Sequence, residues 1–131
     1  MTPEAERFLA KADDLLVRAG TMLNVGLFED AGREAYLAGF HAAQALLFER
    51  TGKSAKTHKG VQAEFLRLTR GAGHLDDGLR SFLSTAYNLK SIADYETGTG
   101  SSVSPERASA AVAEAGRFAA SIRALIDVSD S

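Results

Sequence analysis

The chain contains no cysteine among its 131 residues. This absence excludes disulfide frameworks, thiolate zinc sites and thiol nucleophiles. No apolar run approaches the roughly 20 residues of a membrane span, and the N-terminal sequence MTPEAERFLAKADD has neither the apolar run nor the cleavage site of a signal peptide. We therefore expect a cytoplasmic protein with no membrane partner. Its length predicts one domain, residues 1–131, that can bury a core without metal or disulfide.

The usual cofactor and metal motifs are also missing. The Gly-x-Gly sequences at residues 71–73 and 98–100 lack the preceding strand and the following Gly-Lys-Ser/Thr of a phosphate loop. The histidines, His41, His58 and His74, do not have metal-ligand spacing, and the inward Glu-x-x-His pairs of di-iron bundles are absent. We therefore predict no metal site and no cofactor.

The formal net charge of −2 is not that of a typical nucleic-acid-binding protein, which is usually basic. The charge is uneven, however, because residues 50–70 contain six of the fifteen basic residues and the single acid Glu64. Two interpretations of this segment stay open: a solvated loop and helix face, or a patch that binds phosphate or an acidic partner. The candidates for phosphate or nucleic-acid binding are Lys53, Lys56, Lys59 and Arg67.

The stretch Ala35 to Phe48, AYLAGFHAAQALLF, contains no charge and no proline. At roughly 100° per residue, Tyr36, Phe40 and Leu47 share one side of a helix, and three alanines share a second side that a neighbouring helix could approach closely. A helix that is apolar nearly all round is buried. We therefore predict an all-α fold, an antiparallel up-and-down four-helix bundle with a short extra helix, in which this helix is central.

Apolar residues at helical spacing, together with start and stop signals, divide the chain into five predicted helices. The first and the last begin with the same order of hydroxyl N-cap, proline and acid, Thr2-Pro3-Glu4 and Ser104-Pro105-Glu106. The helices are predicted from Pro3 to about Gly26, from about Phe28 to Thr51, from a Thr57 cap to Gly71, from Asp76 to about Tyr95, and from Pro105 until fraying begins at Asp127.

The polar residues of the predicted fourth helix form one candidate site. Lys90 and Asp94 are four residues apart, so they share a helix face and can pair, and Tyr87 lies one turn before Lys90. A cation, a carboxylate and a phenol at the rim of a core can bind phosphate or exchange protons. A purely structural Lys–Asp pair is the alternative that the spacing leaves open.

Two histidines are further candidates. His41 lies in the apolar central helix, where it is either a core residue or, with Tyr36, part of a cleft or a dimer interface. His58 lies between Lys56 and Lys59 at a predicted helix N-terminus. The free N–H groups and positive dipole of such an end favour an anion.

Three segments, in order along nearly the whole chain, resemble the HEPN domain. They are DAGREAYLAGFHAAQALL at residues 30–47, SAKTHKGV at residues 54–61 and LKSIADY at residues 89–95. The bacterial and archaeal branch that they resemble reads approximately A-Y-Y-A-x-F-H-A-A-x-A-L-L, then K-T-H-x-G, then R-x-x-A-D-Y. This resemblance implies a helical bundle that dimerises and acts beside a small nucleotidyltransferase, as the toxin half of a toxin–antitoxin pair.

Many HEPN proteins are metal-independent ribonucleases in which an Arg is followed, a few residues later, by a His, and two such motifs meet across the dimer. A neighbouring Tyr can be modified by the nucleotidyltransferase. In this chain Lys90 stands at the Arg position, and no His follows, because residues 94–96 are Asp, Tyr and Glu. Asp94 and Tyr95 do match the A-D-Y of the branch.

Two functions from different classes stay open. In the first, the chain binds RNA or a nucleotide at the groove of a homodimer in a toxin–antitoxin module, with ribonuclease activity if another group replaces the missing His. Lys90 would contact phosphate, Asp94 would orient Lys90 or accept a proton, and Tyr95 would be a contact or modification site. His41 and His58 are the reserve imidazoles. In the second, the chain is a catalytically silent module that dimerises and docks a nucleotidyltransferase.

Overall fold

The computed structural model describes residues 1–73, 75–95 and 103–130. These residues form helices and no strand, which confirms the predicted all-α class. None of these helices is both long and apolar enough to cross a membrane. The helices, in chain order, are α1 (Pro3–Asn24), α2 (Phe28–Thr51), α3 (His58–Leu68), α4 (Asp77–Arg80), α5 (Phe82–Tyr95) and α6 (Pro105–Asp130).

Helix α2 is the centre of the bundle, as its apolar circumference predicts. It packs against α1, α3, α5 and α6, and its alanines at positions 31, 35, 38, 42, 43 and 45 are completely buried. The core beside it includes a run of three rings, with Phe118 at 5.1 Å from Phe65 and at 5.0 Å from Phe82 between ring centroids. The helix that lacks a solvent face in the sequence is thus the one that the other helices cover.

Two glycines let α5 approach α2 closely. A Cβ atom on Gly32 would lie 3.2 Å from Leu89 Cβ, and one on Gly39 would lie 2.3 Å from Phe82 Cε1. The two contacts run in opposite chain order, because the earlier glycine faces the later residue of α5. Helices α2 and α5 are therefore antiparallel neighbours, in contact along most of the length of α5.

The predicted helix starts are confirmed by side-chain caps. The hydroxyls of Thr2, Thr57 and Ser104 accept hydrogen bonds from the backbone N–H groups of Ala5, Gly60 and Arg107. At the end of α1, Gly26 has φ of +82°, Leu27 N–H donates to Met22 O and Gly26 N–H donates to Leu23 O. This is a Schellman motif, and it turns the chain directly into α2.

Two predicted boundaries are wrong. The helix expected from Asp76 to Tyr95 is divided into α4 and α5 at Ser81. The hydroxyls of Ser81 and Ser84 bond to the carbonyls of Asp77 and Ser81, which also accept the backbone N–H groups of Ser81 and Thr85. Side-chain bonds of this kind to helical carbonyls bend a helix. The bundle therefore has two short helices, α3 and α4, where one was expected.

At the other boundary, α6 continues to Asp130, beyond the fraying expected at Asp127. No glycine or proline interrupts residues 127–130. The Gly/Ser/Thr composition of residues 98–102 predicts a loop, but this segment lies outside the described residues, as does His74.

Candidate functional site

The candidate site lies where the first half of α2 meets the end of α5, and its centre is the carboxylate of Asp94. Arg33 Nε donates to Asp94 Oδ1 at 2.7 Å, and Lys90 Nζ lies 2.7 Å from Asp94 Oδ2. Each carboxylate oxygen therefore holds a different cation. The Lys90–Asp94 pair expected from the i,i+4 spacing is present, and a second cation from another helix joins it.

These contacts keep Asp94 ionised. The hydrogen bond from Lys90, followed by the hydrogen bond and charge of Arg33, lowers the pKa of Asp94 below its ordinary value, although partial burial acts in the opposite direction. A carboxylate with a lowered pKa is a poor proton acceptor at neutral pH. Of the two roles expected for Asp94, the geometry therefore favours orienting the cations over accepting a proton.

Arg33 is the residue that sequence reasoning missed. It lies just before the uncharged stretch 35–48, and its side chain reaches α5 while remaining 37% exposed. The available signal was its position one turn before Tyr36, on the side of α2 that also carries the aromatic residues. An arginine that begins an otherwise apolar face of a central helix marks the point where that face reaches the surface.

A buried carboxylate adjoins the site. Glu34 is only 8% exposed, and its Oε1 lies 3.6 Å from Arg33 Nη1. Its other oxygen, Oε2, has no hydrogen-bond partner among the described residues. Arg33 therefore lies between two acidic groups, with Asp94 at hydrogen-bond distance and Glu34 at ion-pair distance.

One turn further along, three rings from three helices meet. Tyr36 of α2 is 2% exposed, and its Oη lies 2.8 Å from Nδ1 of His58, the first residue of α3. The His58 ring stacks on Tyr87 of α5 with a centroid distance of 4.0 Å and an interplanar angle of 18°. The Thr57 cap holds the first turn of α3, so the imidazole is fixed against Tyr36, one turn after Arg33 on α2, and against Tyr87, one turn before Lys90 on α5.

The protonation states of this trio follow from burial. Burial lowers the pKa of His58, so its imidazole is neutral at pH 7. Burial, and then the charge that Tyr87 would carry, raises the pKa of Tyr36, so its hydroxyl stays protonated. Because a buried hydroxyl needs an acceptor, we infer that Tyr36 donates to His58 Nδ1. The proton of the neutral imidazole is then on Nε2, where it can be donated to a ligand.

His41 is not part of this cluster. Its Nδ1 lies 2.7 Å from Gln44 Oε1, and Gln44 Nε2 donates to the Ala55 carbonyl, so the ring is tied to the α2–α3 loop. It stacks on Phe8 of α1 at 6.4 Å. Burial and the charge of Lys11 lower the pKa of His41, against the bond to Gln44. The ring is partly buried and one of its nitrogens is bonded, which favours the interpretation of His41 as a core residue.

The remaining candidates lie on separate surfaces. The side chains of Lys53, Lys56 and Lys59 are exposed on the loop before α3 and on its first turn. Arg67 is paired with Glu64 within α3, with Nη2 at 2.6 Å from Oε2. The side chain of Tyr95 lies outside the described part of the structure. Within that part, no group of three or more acidic or histidine side chains is placed to hold a metal ion.

Comparisons with known proteins give a consistent answer. The HEPN domain matches residues 5–125. The chain is 36% identical over 92 residues to a protein of Archaeoglobus fulgidus named UPF0332 protein, across 70% of this chain and 72% of the relative. It is 30% identical over 118 residues to a UPF0332 protein of Gloeobacter violaceus, across 90% and 92% of the two chains.

A Methanocaldococcus jannaschii protein named "Putative toxin" is 31% identical over 94 residues, across 72% of this chain and 69% of the relative. The range matched by the HEPN domain, residues 5–125, includes α2, α3 and α5, the helices that build the cluster. The chain belongs to the HEPN domain family.

Proposed function

We propose that this HEPN-domain protein is the RNA-binding component of a toxin module, and that it binds the phosphate backbone of RNA at the surface formed by Arg33, Lys90 and His58. The observation that carries the proposal is the convergence of two cations from two helices on one ionised carboxylate. The neutral imidazole of His58 is held by Tyr36 and Tyr87, each one helical turn from one of these cations. The names of the M. jannaschii relatives support the toxin context.

Arg33 supplies a bidentate donor group, which Lys90 lacks. A lysine is a point charge, whereas a guanidinium presents a planar fork of donors that fits two oxygens of one phosphate. Asp94 binds Nε of Arg33, and the guanidinium has further N–H groups with which to bind a ligand. The lysine at the position where the family branch has arginine is therefore compensated by an arginine from α2 that contacts the same carboxylate.

His58 adds a hydrogen-bond donor to this surface. In the inferred tautomer, Nε2–H is available to a phosphate oxygen, and stacking on Tyr87 fixes the plane of the ring. A neutral donor adds little to the nonspecific attraction of a polyanion, but it forms a hydrogen bond with a phosphate oxygen that lies in the correct position. The three groups together therefore favour a phosphate in one position over diffuse attraction of polyanions.

Metal-independent cleavage is the second candidate, and one observation favours it: His58 is a neutral imidazole that stacks on Tyr87, one turn of α5 before Lys90. To act as a base, Nε2 must accept the proton of a ribose 2′-hydroxyl. That requires the other tautomer, in which Nδ1–H donates to Tyr36 Oη. The oxygen O2′ would then attack phosphorus, the P–O5′ bond would break, and O5′ would take a proton from water, leaving a 2′,3′-cyclic phosphate.

The test is incubation of the purified protein with labelled tRNA and mRNA in EDTA, with binding and cleavage measured on the same samples. The variants are Lys90→Ala and His58→Gln, with Arg117→Ala on the exposed side of α6 as the matched control. We expect Lys90→Ala to bind RNA at least tenfold more weakly than the control. If Lys90→Ala and the wild type bind equally, the site is wrong.

Cleavage is decided by the same samples. Cleavage by the wild type that His58→Gln abolishes would establish the second candidate. Binding without cleavage, once intact mass has excluded a modification of Tyr95, would leave the protein as an RNA-binding module.

The assembly around the protein is also a proposal. Family resemblance supports a homodimer and a nucleotidyltransferase partner that modifies Tyr95. Light scattering of the purified chain tests the dimer. Co-expression with a nucleotidyltransferase, followed by intact mass of the wild type and of Tyr95→Phe, tests the modification. A silent docking module would bind this partner and no RNA.

A further inference from the structure

A second groove lies between α1 and the loop that joins α2 to α3. It has a volume of about 450 Å³ and is lined by two aromatic residues, Phe8 and Phe48, and by three cations, Arg7, Lys11 and Lys56. This volume is in the range of small-ligand pockets. None of these side chains belongs to the Arg33–Asp94–Lys90 cluster or to the trio around His58.

The charge around this groove is positive. Glu4 is the one acid among the lining residues, and it pairs loosely with Arg7, whose Nη2 lies 3.6 Å from Glu4 Oε1. Lys11 and Lys56 are both exposed at the rim. Phe8 and Phe48 are both partly exposed, so part of each ring is accessible. Aromatic rings with cations beside them form the arrangement that binds single-stranded nucleic acid, in which bases stack and phosphates meet cations.

A run of ring contacts joins this groove to the first site. Phe8 stacks on His41 at 6.4 Å, His41 contacts Phe40 at 5.6 Å, and Phe40 contacts Tyr36 at 6.0 Å. Tyr36 in turn holds His58. Arg33 and Phe48 are fifteen positions apart on α2, about 22 Å at 1.5 Å per residue. A strand of roughly 4–16 nucleotides, the usual site size of single-strand binders, can span that distance.

The chemistry of the groove selects among occupants. An apolar helix from a partner protein could cover Phe8 and Phe48, but it would bring no counter-charge for Lys11 and Lys56. A nucleotide of single-stranded RNA supplies both parts, a planar base for the rings and a phosphate for the cations.

We propose that this groove binds a nucleotide of the same single-stranded RNA that is held at Arg33 and Lys90, with its base against Phe8 and Phe48 and its phosphates at Lys11 and Lys56. The inference rests on the proposed function, since it extends the path of that RNA along α2. It predicts that affinity depends on RNA length, because only a longer strand reaches both surfaces.

The experiment measures fluorescence anisotropy of labelled single-stranded RNAs of about 6 and about 16 nucleotides, in the site-size range of such proteins. The samples contain EDTA. The test variant is Lys11→Glu with Lys56→Glu, and the control is Arg18→Glu with Arg117→Glu, which reverses the same number of charges at exposed positions that line neither surface. Circular dichroism checks that both variants fold.

We expect the wild type and the control to bind the longer RNA at least tenfold more tightly than the shorter one. The test variant should lose this advantage and bind the shorter RNA as the control does. A 4-thiouridine RNA should crosslink to a peptide that contains Phe8 or Phe48. An undiminished length advantage in the test variant would overturn the inference.

The two proposals fail in different ways. If the wild type binds no RNA, or if Arg33→Gln with Lys90→Gln binds the shorter RNA as well as the wild type does, the proposed function is wrong and this inference falls with it. If that double variant loses the shorter RNA while the Lys11/Lys56 variant behaves as its control, only the second groove is wrong. Binding of polyglutamate at Lys11 and Lys56 without an RNA crosslink would assign the groove to an acidic peptide instead.

Discussion

The two ends of the α2–α5 contact are held together by opposite means. At one end, Gly39 admits the ring of Phe82, which is 2% exposed and packs on Phe118 at 5.0 Å. At the other end, Arg33 and Lys90 share the carboxylate of Asp94 at the surface. Close apolar packing contributes directly to stability, whereas ion pairs near solvent contribute about 0–1 kcal/mol. The first end therefore holds the helices together, and the second is available for binding.

The largest expected effect on stability comes from adding a side-chain atom at Gly39, in the packed end of the α2–α5 contact. In Gly39→Ala, the new Cβ would lie 2.3 Å from Phe82 Cε1, and Phe118 limits the retreat of that ring. We expect a loss of about 1–3 kcal/mol in the free energy of unfolding, typical of an overpacked core, with RNA binding retained. Urea denaturation measures it.

The matched control is Gly116→Ala in α6, where a Cβ would meet nothing within 4 Å. This change should stabilise the protein by up to about 1 kcal/mol, because alanine is the better helix former. Equal effects of the two substitutions would contradict the account of the packed end.

A substitution in the middle of the α2–α5 contact should reduce stability less. Tyr36→Phe removes the hydroxyl that bonds His58 Nδ1 at 2.8 Å. We expect a loss of about 0.5–1.5 kcal/mol, the usual net value of one hydrogen bond, and weaker RNA binding because the His58 tautomer is no longer fixed. Denaturation and RNA titration measure the two effects. Tyr87→Phe keeps the ring that stacks on His58 and serves as control; if it reproduced both losses, the assignment of the hydrogen bond would be wrong.

The histidines make this region sensitive to pH. Burial lowers the pKa values of both His58 and His41 in the folded chain, while in the unfolded chain they stay near 6.5. The unfolded chain therefore binds protons first as pH falls, so stability should decrease from about pH 7 downward until the folded histidines titrate. The hydroxyl of Tyr36, which bonds His58, has a raised pKa and is uncharged in this range. Denaturation from pH 7.5 to 5 of the wild type and of His58→Gln should show a flatter profile for the variant.

The smallest effect on stability is expected at the ionic end. Asp94→Asn should cost no more than about 1 kcal/mol at pH 7, because both pairs lie near solvent. The pKa of Asp94 is lowered, so its contribution is present above the ordinary carboxyl pKa and is lost as pH falls through the lower, folded value. Thermal unfolding at pH 7 and near pH 3 tests this. A loss at pH 7 as large as that of Gly39→Ala would show that the two ends do not differ.

Local patterns predicted most of the fold. Caps such as Thr2 and Thr57, and the apolar circumference of residues 35–48, are determined by near neighbours in sequence. The division at Ser81 was missed because it coincides with hydroxyl bonds to helical carbonyls, which bend a helix and which the apolar stripe does not show.

Only the part of the candidate site that lies within one helix could be predicted from the sequence. The Lys90–Asp94 pair follows from i,i+4 spacing on one helix. Arg33, which supplies the second cation, is sixty-one positions away from Asp94 in sequence. The stacking of His58 on Tyr87 likewise depends on how α3 is placed against α5. Contacts between helices are set by the packing of the whole bundle, and helical periodicity within one segment does not encode them.

The most direct test of the account is the salt dependence of RNA binding by Arg33→Gln with Lys90→Gln. Each phosphate contact with a single strand contributes about 0.7 to the slope of log K against log salt concentration. We predict that the double variant has a slope smaller in magnitude by about 1.4 than that of Arg18→Gln with Arg117→Gln, which removes the same charge elsewhere. Equal slopes for the two double variants would show that Arg33 and Lys90 do not contact phosphate, and would contradict the proposed function.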